Sequence, residues 1–175
     1  MEKACIHIYT GDGKGKTTAC IGLSLRCAGA GNKVVFTQFL KDNTSSEIEL
    51  LSKLENIEFV PNERTFGFTF LMTPEEKKDA AQYYRKHFED AVAKAKEVGA
   101  KLLVFDEIIS VYNENLVDRE AVCAFLREKD PQLEVVLSGR APAEELIELA
   151  DYVSEIKKVK HPFDKGIPAR KGIEY

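Results

Sequence analysis

With 175 residues, 44% of them hydrophobic and 31% charged, the chain is long enough for one domain with a substantial core and too apolar to be an intrinsically disordered segment. Its formal net charge of −4 argues against bulk nucleic-acid binding, which needs a basic face to neutralise phosphates. No run approaches the roughly 18 apolar residues of a membrane span, the N-terminal MEKACIHIYTG lacks the long apolar stretch of a signal peptide, and Cys5, Cys20, Cys27 and Cys123 form no CxxC pair; a cytoplasmic protein with reduced, mostly buried thiols is expected.

Residues 4–9 are a short apolar run, followed at once by the glycine-rich TGDGKGKTT of residues 10–18. A helix is predicted over about residues 16–30, rich in Ala and Leu and closed by Gly31 and Asn32. KVVFTQFL, residues 33–40, reads as a buried strand. Thr44 and Glu47 have capping-box spacing, with Ile48, Leu51 and Leu54 following on one helical face. Residues 57–60 make a short strand stopped by Pro61. The most sharply delimited helix has Thr73 as cap, Pro74 at its first position and Glu76 completing the box. Ala81, Tyr84, Phe88, Val92, Ala95 and Val98 then recur at spacings of three and four until Gly99 ends it. Beyond it come a strand over 102–105, a helix over about 118–127, a strand over 133–137, a helix over 142–149 and a last strand over 152–156.

About six strands separated mostly by helices predict an α/β fold. Parallel strands need such crossovers, and burial on both faces gives continuous apolar runs such as LLVF and VVL. The expectation is a mainly parallel sheet with helices on both faces, a three-layer sandwich in a single domain over residues 1–175.

TGDGKGKTT sits between the first strand and the first helix. The phosphate-loop pattern is G-x-x-x-x-G-K-[S/T]; Gly15, Lys16 and Thr17 fill its last three positions, but Thr10 stands where the first glycine belongs. The chemistry asks for inward-pointing amides, an open helix N-terminus and a lysine, with Gly11 and Gly13 supplying flexibility. Thr17 would offer its hydroxyl to Mg²⁺. KLLVFDEI, residues 101–108, ends a buried strand with Asp106 and Glu107, carboxylates suited to holding a metal or to activating water. Arg140, in the SGR that follows LEVVL, stands at a strand end where ligands bind in open α/β sheets and can clamp a phosphate or make a surface ion pair. RTFGFTFLM places Phe66, Phe68 and Phe70 at alternate positions. A strand would put them on one face; Gly67, Thr69 and the irregular flanks favour a loop that presents rings to a large apolar ligand.

Taken in order, TGDGKGKTTA, QFLK (residues 38–41), GFTF (67–70), VFDEI, LSGRAPAEELIELAD (137–151) and the C-terminal VKHPFDKGIPARKGIEY resemble the phosphate-loop ATP:corrinoid adenosyltransferases from about residue 5 to residue 175. The resemblance implies a RecA-like, Rossmann-like P-loop NTPase core and a cytoplasmic homodimer served by an electron-donor flavoprotein reductase. The implied reaction is transfer of the 5′-deoxyadenosyl group of ATP to the Co(I) of cobalamin or a precursor, with release of triphosphate. ATP binding is implied for Gly11, Asp12, Gly13, Lys14, Gly15, Lys16, Thr17, Thr18 and Arg140, and catalytic roles for Lys16, Thr17 and Glu107. Thr17, Asp106 and Glu107 would manage Mg²⁺, and Phe68 and Phe70 would pack beneath the corrin and displace its lower axial ligand. ATP would lie reversed, with its ribose toward the corrinoid. Asp12 stands where the family commonly has Asn, and Phe70 where it often has Trp. Two other readings stay open: an NTPase or kinase acting at the γ-phosphate, which yields phosphate or ADP, and a carrier that binds without turnover. The basic tail residues Lys157, Lys158, Lys160, Lys165, Arg170 and Lys171 can cover the site, dock a reductase, or simply be solvated.

Overall fold

Six parallel strands form one sheet in the order β3-β2-β4-β5-β1-β6. They are β1 Ile6–Thr10, β2 Val34–Gln38, β3 Ile57–Val60, β4 Leu102–Asp106, β5 Glu134–Ser138 and β6 Tyr152–Glu155. The helices between them are α1 Lys16–Gly29, α2 Ser46–Leu51, α3 Pro74–Val98, α4 Ile108–Asn113, α5 Arg119–Glu128 and α6 Glu144–Leu149. The computed structural model describes residues 3–41, 45–67 and 69–174.

Successive strand residues face opposite sides, and the two sides are covered by different helices. Val34, Phe36, Leu102, Val104 and Val136 pack with Cys20 of α1 and with Ile48 and Leu51 of α2. Val35, Leu103, Phe105, Val135 and Leu137 pack with α3, α4, α5 and α6. The three-layer α/β expectation holds, with every strand pair parallel. All four residues of β6 are exposed, and β6 lies at the edge of the sheet.

Local signals set several boundaries well. Thr73 accepts from Glu76 N while the Glu76 side chain accepts from Thr73 N, Pro74 opens α3, and Gly99 closes it at φ 63. The buried stripe of α3 is Ala80, Tyr84, His87, Phe88, Ala91 and Ala95, so a histidine lies where the apolar pattern had a gap. Its Nε2 is 2.7 Å from Thr37 Oγ1, whose own proton goes to Val60 O. The ring therefore donates through Nε2, and burial lowers its pKa and keeps it neutral.

Two expected boundaries need correction, at β2 and at α6. The strand predicted over 33–40 ends at Gln38, because Leu40 turns into the left-handed region at φ 61. Thr44 lies outside the described residues; α2 starts after Ser45, which makes no side-chain cap. The helix predicted from 142 starts at Glu144, since Pro142 cannot donate and Ala143 is still extended. Helix α4 was not anticipated: IISVYN is too short and too apolar to show a helical period. Its burial against β5 and α5 decides it. Residues 61–67 have no regular structure and Thr69–Leu71 form a 3-10 turn, so among the described residues the aromatic insert forms no strand. Among the described residues no helix is long and apolar enough to cross a membrane. Cys20 and Cys123 are buried, Cys5 and Cys27 half-buried, and all four are free.

Candidate active site at the phosphate loop

The carboxyl ends of the parallel strands carry the candidate residues in sheet order: Gln38 on β2, Asp106 on β4, Ser138 on β5, the glycine loop after β1, and Ile156 after β6. This is the edge at which open α/β sheets bind ligands.

Thr10 remains the last residue of β1, and its carbonyl accepts from Ile156 N at 2.8 Å. It needs no glycine because the turn starts one residue later, at Gly11 with φ 109. A Cβ on Gly11 would stand 2.3 Å from Ile156 O, and one on Gly13 2.7 Å from the same atom. The chain after β6 thus passes close behind the loop, and Gly13 N donates to Ile156 O at 2.8 Å. Lys16 is buried, and its Nζ donates to Gly11 O at 2.9 Å and Gly13 O at 3.1 Å. Helix α1 begins at Lys16 with no side-chain cap and no acid in its first turn, which leaves its first amides and its dipole for an anion.

Asp106 is the centre of the polar arrangement and is wholly buried. Ser138 Oγ donates to its Oδ1 at 2.6 Å, Gln38 Nε2 to its Oδ2 at 3.0 Å, Lys41 Nζ to the same oxygen at 2.9 Å, and Thr17 Oγ1 lies 3.1 and 3.0 Å from the two oxygens. Thr17 and Asp106 are brought together as the sequence suggested. Glu107 goes a different way. It occupies the left-handed region at φ 64, its N–H donates to Ser138 Oγ at 2.9 Å, and its carboxylate accepts from Ser110 Oγ at 2.9 Å. Ser138 thereby ties both acids to β5. Gln38, Lys41 and Ser138 were given no role from sequence. The available signal was the QFLK motif, with its lysine just past a strand end.

Among the described residues no group of three His, Cys, Asp or Glu side chains is placed to hold a metal ion. The donor set that fits Mg²⁺ is instead the Thr17 hydroxyl and the Asp106 carboxylate, hard oxygens that already hold a cation, the Lys41 ammonium. Arg140 is exposed, on a turn fixed by Asn113, whose Nδ2 donates to Arg140 O and Ala141 O.

Asp12, the unusual acid of the loop, has a definite partner: its Oδ1 accepts from Lys158 N at 3.0 Å. That bond, helped by the charges of Lys158 and Arg140, holds its carboxyl below the usual range. Farther along, the Arg170 side chain and N–H hold the Glu174 carboxyl down to about 2. Depressed carboxyls stabilise their contacts above the unfolded pKa and lose them as pH falls through the folded one. These tail contacts should therefore be complete at neutral pH and fail in acid, for Glu174 toward about pH 2. Asp12→Ala should expose the 156–158 segment at neutral pH, seen as faster tryptic cleavage at Lys157 and Lys158 with an unchanged circular dichroism spectrum. Equal cleavage rates would remove the anchoring role.

A cavity of about 1190 Å³ opens beside the loop. One wall is Lys14, Thr17, Thr18 and Ile21, and another is Leu40 and Lys41. Thr65, Phe66, Gly67 and Thr69 line the far side with Tyr84, and Gly172, Ile173 and Glu174 bring the C-terminal tail in. The Phe66 ring packs 5.5 Å from both Tyr83 and Tyr84, with Arg64 over its face at 4.6 Å. Phe68 and the side chain of Phe70 lie outside the described residues.

A family model described as "ATP:corrinoid adenosyltransferase BtuR/CobO/CobP" matches residues 2–175. The chain is 33% identical to the corrinoid adenosyltransferase of Escherichia coli strain K12, over 99% of this chain and 87% of that one. It is 34% identical to the corrinoid adenosyltransferase of a Sinorhizobium species, over 99% and 81%, and 31% identical to the corrinoid adenosyltransferase CobA of Salmonella typhimurium strain LT2, over 99% and 87%. Among solved structures, the KaiC-like protein PH0186 of Pyrococcus horikoshii OT3 shares the fold, with a TM-score of 0.52 at 18% identity, over 89% of this chain and 73% of that one. Motifs, sheet and whole-length similarity agree, and the chain belongs to the ATP:corrinoid adenosyltransferase family.

Proposed function

We propose that the protein transfers the 5′-deoxyadenosyl group of ATP to the Co(I) of a reduced corrinoid, cobalamin or a precursor, and releases triphosphate. The observation that carries this reading is a cavity of about 1190 Å³ lined by both the phosphate loop and the aromatic segment. That is more room than drug-sized ligand sites of roughly 300–1,000 Å³ offer, as two substrates require. In the step itself Co(I) supplies the electron pair that bonds to the ribose 5′-carbon. The 5′-carbon–oxygen bond breaks, and its pair leaves with the triphosphate. No water needs activation, so the acids at the end of β4 have no base to provide.

The groups that matter are then those that stabilise charge on the leaving triphosphate: the amides of residues 11–18, the Lys16 ammonium, and the charges of Lys14 and Arg140. Mg²⁺, when bound, neutralises polyphosphate oxygens; Thr17 and Asp106 would hold it, with Glu107 beyond them. Phe68 and Phe70 would form an apolar floor that removes the lower axial ligand and keeps water from the cobalt. By family resemblance the proposal includes a cytoplasmic homodimer supplied with electrons by a flavoprotein reductase.

The test is anaerobic: protein, ATP, Mg²⁺ and chemically reduced cob(I)alamin are mixed, and the cobalt–carbon bond is followed by absorbance. Stoichiometric triphosphate and adenosylated corrinoid are expected. Phosphate or ADP without alkylated cobalt would identify a γ-phosphate enzyme instead. Replacing Phe68 and Phe70 together by Ala should depress activity from Co(II) at least tenfold more than from pre-reduced Co(I). Equal losses would contradict the axial-ligand role.

A further inference from the structure

Lys41 stands at the one place in the site where a second cation is expected. Its Nζ is 3.0 Å from Thr17 Oγ1 and 2.9 Å from Asp106 Oδ2, the two groups that fit a magnesium ion bound with nucleotide. The placement is built into the backbone. Phe39 N donates to Asp106 O at 2.8 Å, Leu40 takes a left-handed φ of 61, and Asn62 Nδ2 donates to Lys41 O at 2.6 Å. A non-glycine residue is seldom left-handed, and here the bend turns Lys41 back over the end of β4. Asp106 is wholly buried, whereas the Lys41 side chain is 28% exposed and lines the cavity. Among the described residues it makes the one ion pair to Asp106.

Two physical facts follow. A buried carboxylate without a counter-charge is strongly unfavourable, so Asp106 needs a cation whether or not ligand is bound. A metal ion and an ammonium on the same oxygens repel each other strongly out of water, which favours one occupant at a time. We propose that Lys41 is the resident counter-cation of the metal position: its ammonium neutralises Asp106 and holds Thr17 until magnesium-nucleotide displaces it into the cavity. Metal binding and the Lys41–Asp106 pair are then mutually exclusive, and the site stays charge-balanced in both states. The inference rests on the magnesium-nucleotide part of the proposed function and not on the corrinoid.

The experiment has two arms, neither using corrinoid or activity. In the first, Mn²⁺ alone is titrated and followed by its electron paramagnetic resonance signal. Lys41→Met should bind Mn²⁺ at least tenfold more tightly than the native chain, and Lys41→Arg should not. Adding Asp106→Asn to Lys41→Met should abolish the gain. In the second arm the native chain, labelled with ¹⁵N-lysine, is observed by NMR. A slowly exchanging Lys41 ammonium signal, identified by its loss in Lys41→Arg, should be present in the free protein. It should persist with a non-hydrolysable ATP analogue in EDTA and vanish on adding Mg²⁺. Unchanged Mn²⁺ affinity in folded Lys41→Met, or an ammonium signal unaltered by Mg²⁺ and nucleotide, overturns the proposal. If Lys41→Met does not fold, the native-chain arm decides. Failure to bind nucleotide at all, measured by calorimetry, counts against the functional reading, and the Mn²⁺ arm still judges Lys41. Failure of adenosyl transfer with both arms as expected leaves Lys41 in place and removes the reaction.

Discussion

Lys16→Ala is expected to lower kcat/KM for adenosyl transfer about 10²–10³-fold, the usual loss when one preorganised donor to a developing anion is removed. The magnitude follows from where the charge sits. Lys16 is buried beneath the loop, and its ammonium is held by Gly11 O and Gly13 O, so in the proposed reaction it would already stand near the leaving group. Lys14 and Arg140 are exposed, and solvent screens what they can supply. Lys14→Ala is therefore expected to cost less than tenfold. The fold should survive Lys16→Ala, because among the described residues the lysine's hydrogen bonds stay within its own loop and Ala is the best helix former for the first position of α1. Anaerobic kinetics with pre-reduced corrinoid measure the effect, with thermal unfolding as the control. A loss under threefold would mean that the loop amides suffice and that Lys16 has no catalytic part.

The second large effect is on stability. Asp106→Ala should destabilise the free protein by about 3–5 kcal/mol, the range seen when one partner of a buried charge pair is removed. For a chain of this size that is a fall in Tm of roughly 6–20 °C. Four side chains lose their acceptor at once: Ser138, Gln38, Thr17 and Lys41. Ser138, Gln38 and Thr17 come from three different elements, so the ends of β2 and β5 and the start of α1 come apart together. Lys41→Met combined with Asp106→Ala should cost less than the sum of the single changes by at least about 1 kcal/mol, since neighbours in one network are not additive. Additive losses would show that Asp106 is held by its neutral partners and that the ion pair contributes nothing.

Helix α3 was legible to the residue because its signals are local: Thr73, Pro74 and Glu76 at one end, Gly99 at the other. Helix α4 was not, because six largely apolar residues carry no period and only their burial makes them a helix. The left-handed Leu40 and Glu107 were equally invisible; neither residue type invites that conformation, and the surrounding contacts impose it.

The sequence by itself determined the α/β class, the placing of TGDGKGKTT between strand and helix, and the family. Each depends on patterns within a few residues or on whole motifs in order. Only the tertiary structure decided how the site is wired. Gln38 lies 68 residues from Asp106, Ser138 32 residues from it, and Lys158 146 residues from Asp12. Such pairs exist because parallel strands 3-2-4-5-1-6 end side by side at one edge, and no local propensity encodes that adjacency. The same geometry gives Gly11 and Gly13 a reason that flexibility does not: the chain after β6 lies where their side chains would be.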